Sequence, residues 1–155
     1  AGAFIIEATE ADGCLLGWNL GCDGSLRDIL FAEIGGTINM SGQEVFRKAV
    51  IAMTDSAESS LTASGLSANE IAYVIPHQAN IRIIESSMKR LGIPLDRAVS
   101  VLERTGNTSS ASIPLALFEA LDDGRVSSGD ILLLVGFGAG MTSASAVIQW
   151  GTNNE

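Results

Sequence analysis

The chain has 155 residues, of which 46% are hydrophobic and 17% charged, with 9 Lys and Arg against 18 Asp and Glu. This length fits one domain of ordinary size, and the longest apolar stretch, residues 131–137, is far below the ~18–20 residues that a membrane span needs. The net charge of −9 argues against a nucleic-acid partner, because phosphate binding requires a basic face. The low charged fraction, against roughly 25% in average globular chains, predicts a large buried interface.

The chain contains two cysteines, Cys14 and Cys22, and one histidine. Two cysteines do not make a disulfide framework and lack the spacing of a zinc site, so we expect no metal and a reduced, cytoplasmic setting. Cys14 lies in an apolar run and is expected to be a small core residue, and Cys22 is expected to be structural. The chain does not begin with Met, shows no leader pattern and opens like the middle of a strand, which predicts a piece of a longer protein.

The first part of the chain predicts a β-hairpin followed by a surface segment. Residues 3–8 and 14–20 are apolar runs of strand length. Asp12-Gly13 between them is a turn signal, so the two runs are expected to pair. Residues 23–39 are rich in glycine and lack periodicity, which indicates a surface excursion.

A long helix is predicted to begin at Ser41 and to end at Gly65. Ser41 and Glu44 have the spacing of a capping box, in which each side chain satisfies a free backbone N–H of the first turn. Apolar residues then recur at helical spacing: Val45, Ala49, Met53, Ala57 and Leu61. Gly65 suits the left-handed conformation that ends many helices.

The rest of the chain alternates strands with helices. Ser67 and Glu70 have a second capping signature, which opens one short turn. Strands are expected at residues 71–75, 98–102, 131–135 and 142–150, and helices at residues 80–91 and from Thr108 or Ser109 to Leu121. This order indicates an α/β fold with helices packed on a mixed five-stranded sheet.

Three loops carry residues that are suited to chemistry. His77 follows a strand, where α/β proteins place reacting groups; the alternative is an ordinary polar residue at a strand-to-helix turn. Asn107 precedes a helix, where its amide is suited to donate to an oxyanion, although small residues there also serve as plain caps. The glycines of residues 136–140 allow a ligand to approach the backbone or serve only a tight turn.

The three loop sequences together resemble one family. PHQANIR from Pro76, GNTSSASIPLAL from Gly106 and GFGAGMT from Gly136 occur in the order and at the separations found in the C-terminal half of 3-oxoacyl-[acyl-carrier-protein] synthase III. Further matches, such as MSGQEVF from Met40, extend the resemblance over residues 2–150. It implies a thiolase-like α/β fold, with residues 1–155 as its C-terminal domain and the nucleophile-bearing N-terminal domain absent.

The resemblance also implies a reaction and a site. Members of this family pass an acyl group from acyl-CoA to a cysteine and condense it with malonyl-carrier protein, which loses CO2; both thioesters are substrates, and no cofactor is expected. His77 and Asn107 match the family's catalytic His and Asn. Neither Cys14 nor Cys22 lies in a motif that matches the nucleophile. The residues that match the phosphopantetheine tunnel are Gly42, Phe46, Ala79, Asn80, Gly138 and Ala139.

The segment after His77 resembles the surface on which the acidic acyl carrier protein docks. The residues that match it are Gln78, Ala79, Asn80, Ile81, Arg82, Lys89 and Arg90. Arg82 and Lys89 are seven residues apart and share a helical face; the alternative is a set of ordinary solvated charges. Met141 and Ser143 stand where relatives often carry bulky residues, which leaves the acyl preference open.

Three hypotheses follow from the sequence. The first is half of a condensing enzyme, which forms a homodimer in its complete form. The second is a non-catalytic module that binds acyl carrier protein or a separate partner chain. The third is another thiolase-superfamily member, such as a polyketide starter synthase or a hydroxymethylglutaryl-CoA synthase-like enzyme. The combined motifs favour the first.

Overall fold

Six strands and four α-helices make up the part of the chain that the computed structural model describes, residues 1–8 and 14–151. The strands are β1 (Leu15–Cys22), β2 (Leu30–Ala32), β3 (Ile38–Met40), β4 (Tyr73–Pro76), β5 (Ile131–Gly138) and β6 (Thr142–Gln149). The helices are α1 (Gly42–Ser64), α2 (Ile81–Leu91), α3 (Leu102–Thr105) and α4 (Ser112–Asp122). Among the described residues, no helix combines the length and apolarity that crossing a bilayer requires.

Four strands form one sheet in the order β1-β6-β5-β4. β4 and β5 run parallel, and the other neighbours run antiparallel. Because successive residues of a strand point to opposite faces, Val74 and Leu133 pack in one core with α1 and α2. Ile75 and Leu132 pack in a second core with α4. Helices therefore cover both faces of the sheet, which confirms the predicted α/β fold.

Helix α1 confirms the predicted long helix, but the predicted capping box of Ser41 and Glu44 does not form. Gly65 ends the helix with φ 72° and ψ 10° and donates its N–H to the Thr62 carbonyl (3.2 Å). At the other end, the backbone N–H of Ser41 donates to the Ile29 carbonyl (2.9 Å). The Glu44 carboxylate therefore has no free N–H to accept from, and the Ser41 side chain makes no capping hydrogen bond.

The predicted cap at Ser67 is confirmed, and α2 has a cap that the sequence had not predicted. The Glu70 carboxylate accepts from both the N–H and the hydroxyl of Ser67 (2.8 Å each). The Asn80 side chain accepts from the Arg82 N–H (2.9 Å) and so begins α2. Gly92, at φ 69°, ends that helix. These local bonds fix the turn before β4 and the helix that follows it.

The predicted N-terminal hairpin is wrong. Residues 3–8 form no strand, and Phe4, Ile5 and Ile6 are exposed. Strand β1 pairs instead with β6. Residues 3–8 have the apolar composition of a strand, but a strand also needs a neighbour whose backbone groups it can bond. The turn at Asp12-Gly13 lies outside the described residues. Cys14 is exposed rather than buried.

The predicted strand at residues 98–102 is also wrong, and within residues 1–8 and 14–151 the main sheet has four strands instead of the predicted five. Only Ala98 bridges to Val74. Beyond it, the Gln78 side chain donates to the Val99 carbonyl (3.0 Å) and accepts from the Val101 N–H (3.0 Å). These are the backbone groups that a strand would pair, so the chain turns away into α3.

The segment at residues 23–39 is more ordered than the predicted surface excursion. It contains a 3-10 turn (Gly24–Ile29) and the antiparallel pair β2–β3. Ile29 is buried with Val45 and Met141 in a small separate core. This core fixes the β2–β3 pair beside the N-terminal turn of α1.

Candidate active site

Loops at one edge of the main sheet meet the β2–β3 pair and the first turns of α1 and α2 around a half-open cleft of about 1520 Å³. The predicted site residues that line this cleft are His77, Asn107, Gly42, Phe46, Ala79, Asn80, Arg82, Gly138 and Ala139. Both predicted catalytic residues and all six predicted tunnel residues therefore lie on one surface. Cys14 and Cys22 do not line the cleft, and both are exposed elsewhere.

His77 follows β4 directly and is held by three contacts, two to β5 and one to α4. Its N–H donates to the Val135 carbonyl of β5 (2.8 Å), which continues the parallel pairing by one residue. Its Nδ1 lies 2.6 Å from Ser112 Oγ at the start of α4. The Phe137 ring meets the imidazole edge to face, with 5.6 Å between centroids. Burial lowers the pKa of the His77 imidazole, so the ring is neutral at neutral pH.

Gly136 makes room for the histidine. A Cβ added there would lie 3.3 Å from the Cβ of His77 and 3.5 Å from Cδ1 of Ile113. A side chain on Gly136 would therefore push His77 away from β5. Gly136 therefore leaves space for the His77 side chain, and it also lines the cleft.

Asn107 stands exposed on a loop with a strained backbone. Gly106 before it has φ 63° and ψ −162°, a region that is open almost only to glycine, and Ser109 has φ 55°. The Asn107 Oδ1 accepts from the Ser109 N–H (3.0 Å). Because that N–H can only donate, the amide oxygen faces Ser109 and Nδ2 is left to donate. The predicted cap at Thr108 or Ser109 is wrong, since neither side chain caps the following helix.

Gln78 was predicted to be part of the docking surface, but the structure places it inside the protein. Its side chain is fully buried. The amide donates to the carbonyls of Pro76 (2.7 Å) and Val99 (3.0 Å) and accepts from the Val101 N–H (3.0 Å). A side chain that is enclosed and fully engaged in this way cannot contact a carrier protein. It ties the loop of His77 to the segment that leads to the Asn107 loop.

The other docking candidates lie at the surface. Ile81 is 41% exposed, and Arg82 places its guanidinium 5.5 Å from the centroid of the Phe46 ring at the cleft. Lys89 and Arg90 are exposed in the last turn of α2. Arg90 forms an exposed ion pair with Asp55 (3.9 Å), and such pairs contribute little stability. The three basic side chains are therefore accessible to an acidic partner.

The turn between β5 and β6 is fixed from outside the sheet. Met141 exchanges two backbone hydrogen bonds with Asp23 (2.8 Å each), and its side chain is buried in the small core with Ile29 and Val45. Ser143 lines the cleft. Of the two positions expected to shape the pocket, Ser143 does so directly and Met141 supports the turn.

Comparison with known proteins identifies the class of this fold. The model of the 3-oxoacyl-[acyl-carrier-protein] synthase III C-terminal region matches residues 61–150. A beta-ketoacyl-[acyl-carrier-protein] synthase III of Roseiflexus castenholzii is 45% identical over 97% of this chain and 50% of its own length. The crystal structure of 3-oxoacyl-[acyl-carrier-protein] synthase III from Aquifex aeolicus superimposes with a TM-score of 0.89 at 36% identity, covering 92% of this chain and 46% of that one.

These matches settle the family. The fold is the thiolase-like fold of condensing enzymes. The chain belongs to the 3-oxoacyl-[acyl-carrier-protein] synthase III family and corresponds to its C-terminal half. It spans about half the length of the curated relatives that it matches. The priming beta-ketosynthase of the R1128 polyketide pathway is also similar, with a TM-score of 0.80 at 35% identity over 86% of this chain and 44% of that one.

Proposed function

We propose that this chain supplies the histidine and asparagine of a site that condenses an acyl thioester with malonyl-carrier protein to give 3-oxoacyl-carrier protein. One observation carries the proposal: His77 and Asn107, which belong to separate loops, line the same cleft. In each side chain one polar atom is fixed by a serine, Nδ1 in His77 and Oδ1 in Asn107, and a further nitrogen is left to donate. The family of the chain supports the substrate class.

The two side chains are suited to the decarboxylation step. When the bond between C2 and the carboxyl carbon of the malonyl thioester breaks, CO2 leaves and the electron pair forms an enolate with negative charge on the thioester oxygen. That oxygen would accept hydrogen bonds from His77 Nε2 and Asn107 Nδ2. Donors held in place before charge develops stabilise such an oxyanion. A neutral His77 also avoids the cost of burying a cation.

The condensation step needs a thiol that this chain does not bring to the cleft. The enolate carbon would attack the carbonyl of an acyl-cysteine, a carbon–carbon bond would form and the thiolate would leave. Cys14 and Cys22 lie outside the cleft. We therefore propose that the nucleophile comes from the N-terminal half of the same enzyme, and that the isolated chain does not condense substrates.

Exposed apolar side chains support such a partner. Trp18, Leu20, Ile38 and Met40 on β1 and β3 are each at least 59% exposed, and clustered apolar surface marks interaction sites. We assign this surface to the nucleophile-bearing half. The homodimer, the cytoplasmic location and the absence of a cofactor stay predictions from the sequence.

The cleft also offers groups for a phosphopantetheine arm. The ring of Phe46 provides apolar wall, and the backbone of Gly138 and Ala139 is accessible. Asn80 uses its Oδ1 to cap α2, which leaves its Nδ2 to donate to an amide carbonyl of the arm. We propose that these residues bind the arm that acyl-CoA and the carrier protein share.

Charge reversal at Arg82 is expected to separate carrier-protein binding from acyl-CoA binding. Arg82→Glu places a negative charge beside an acidic carrier protein, so its affinity should fall about tenfold at low ionic strength. Acyl-CoA, which also carries phosphate charges, should lose much less affinity, because its arm enters the cleft without the acidic protein that the basic surface binds. Titration calorimetry with each ligand measures both.

Arg27→Glu is the matched control, since Arg27 is an exposed arginine outside the cleft and α2. It should leave both affinities unchanged. An equal loss of carrier-protein and acyl-CoA affinity in Arg82→Glu would contradict a docking role for Arg82.

A polyketide starter synthase is the second candidate, favoured by the structural match to a priming beta-ketosynthase. It would keep the same His–Asn chemistry and differ in the acyl group that it accepts. A panel of acyl-CoA donors tested against the malonyl acceptor, with this chain joined to its nucleophile-bearing half, separates the two functions.

A further inference from the structure

Ser112 is a fully buried residue that the sequence gave no reason to single out. It is the first residue of α4 and has helical backbone angles of φ −65° and ψ −38°. Its hydroxyl oxygen lies 2.6 Å from His77 Nδ1 and 3.2 Å from the Gln78 N–H. The small residues around it predicted only a helix cap. The hydroxyl instead bonds the imidazole.

The number of donors and acceptors at Ser112 determines which atom donates to which. A hydroxyl has one proton to donate and two lone pairs, and the Gln78 N–H can only donate, so it takes one lone pair. If His77 Nδ1 also donated, the Ser112 proton would need another acceptor. Among the described residues, Nδ1 is the one acceptor within hydrogen-bond distance of this hydroxyl. In a fully buried position an unused donor costs free energy, so the Ser112 hydroxyl donates and Nδ1 accepts.

We infer that Ser112 is a positioning residue that holds His77 as the tautomer with its proton on Nε2. Resting on the proposed function, this means that Nε2–H is the donor to the enolate oxygen. The other tautomer would present a lone pair to that oxygen and repel it. Because Ser112 lies at the start of a helix packed on the sheet, it fixes the orientation of the ring as well as its proton.

Nitrogen NMR of the imidazole tests the inference directly, because the chain has one histidine and its ring signals need no assignment. Long-range proton–nitrogen correlation in the wild-type chain at pH 7.5 should show a protonated Nε2 and an unprotonated, hydrogen-bonded Nδ1. A protonated Nδ1, or two nitrogens averaged between tautomers, would overturn the inference without any variant.

Three variants identify the residue responsible. In Ser112→Ala both ring nitrogens should shift towards averaged positions, and Ser112→Thr, which keeps the hydroxyl, should restore the wild-type pattern. Ser100→Ala removes an exposed serine outside the cleft and should change nothing. An unchanged Nε2–H pattern in Ser112→Ala would contradict the role of Ser112. The amide spectrum of each variant reports whether it folds, and the wild-type result decides the tautomer if one does not.

Kinetics link the tautomer to the proposed function. In the enzyme assembled from this chain and a nucleophile-bearing half, Ser112→Ala should lower kcat about tenfold, the loss expected for one hydrogen bond, with KM for acyl-CoA unchanged. A normal kcat with an averaged ring would contradict the positioning role. The NMR experiment uses no substrate, so an inactive assembled enzyme would count against the proposed function and leave the tautomer result standing.

Discussion

Replacing His77 with alanine is expected to lower the rate of malonyl-carrier-protein decarboxylation about 10²–10³-fold, the usual cost of removing one preorganised oxyanion donor. The enzyme assembled from this chain and a nucleophile-bearing half is the material to assay. The affinity for carrier protein should not change, because His77 lies inside the cleft and the basic residues lie on its rim and beyond. Release of CO2 and a carrier-protein titration measure the two effects.

Asn107→Ala provides the comparison for His77→Ala. Its loss should be of the same order, and the double variant should lose less than the product of the two, because groups that stabilise one oxyanion act as a unit. A wild-type rate of decarboxylation in His77→Ala would contradict the role of His77 as an oxyanion donor. Loss of carrier-protein binding in His77→Ala would instead show that the histidine acts in docking.

The Gln78→Leu substitution is expected to give the largest loss of stability, with the free energy of unfolding falling by roughly 3 kcal/mol or more. Leucine is close to glutamine in size, so it leaves little cavity. It does leave the Val101 N–H and the carbonyls of Pro76 and Val99 without their partner in a buried place. Each unsatisfied buried group costs about 1–3 kcal/mol. Urea unfolding followed by circular dichroism measures the change.

Gln43→Leu is the matched control for Gln78→Leu, because Gln43 is exposed, and its free energy of unfolding should stay within about 0.5 kcal/mol of wild type. The His77 ring signals should also change in Gln78→Leu, because losing the three side-chain hydrogen bonds frees the loop whose backbone N–H at position 78 donates to Ser112. A loss below about 1 kcal/mol would mean that water replaces the three hydrogen bonds, and that Gln78 does not hold the two loops together.

The sequence predicted best the elements that local physics decides. Helix α1 shows a continuous apolar stripe and ends at Gly65, and α2 lies within one residue of its predicted bounds, residues 80–91. The positions of His77 and Asn107 followed from motifs at loop positions in an α/β fold. In each case the deciding contacts lie within a few residues along the chain.

The failures involve contacts between distant segments. The apolar run at residues 3–8 and the segment at residues 98–102 both have the composition of strands. Their conformation depends on whether a neighbouring strand pairs with them. Strand β6 pairs with β1 rather than with residues 3–8. The Gln78 side chain forms hydrogen bonds with the Val99 carbonyl and the Val101 N–H, which a strand would otherwise pair. No local sequence pattern predicts that a buried glutamine forms hydrogen bonds with a segment more than twenty residues away.

The site shows the same division. The sequence did not reveal the contacts of Ser112 and Gln78, since Ser112 stands in a run of small residues and Gln78 in a motif that predicted docking. Both matter through tertiary contacts, with the imidazole of His77 in one case and with the backbone before α3 in the other. The residues that line the cleft followed from the sequence, and the buried residues that contact them required the structure.

Intact mass spectrometry of the chain before and after incubation with acetyl-CoA tests most directly that this chain holds the His–Asn half of the site and needs a nucleophile from elsewhere. We predict an unchanged mass of 16.1 kDa, because Cys14 and Cys22 lie outside the cleft. Addition of a nucleophile-bearing half should place the acetyl group on that half. An acetyl adduct on Cys14 or Cys22 of the isolated chain, lost in the matching Cys→Ser variant, would contradict the proposal.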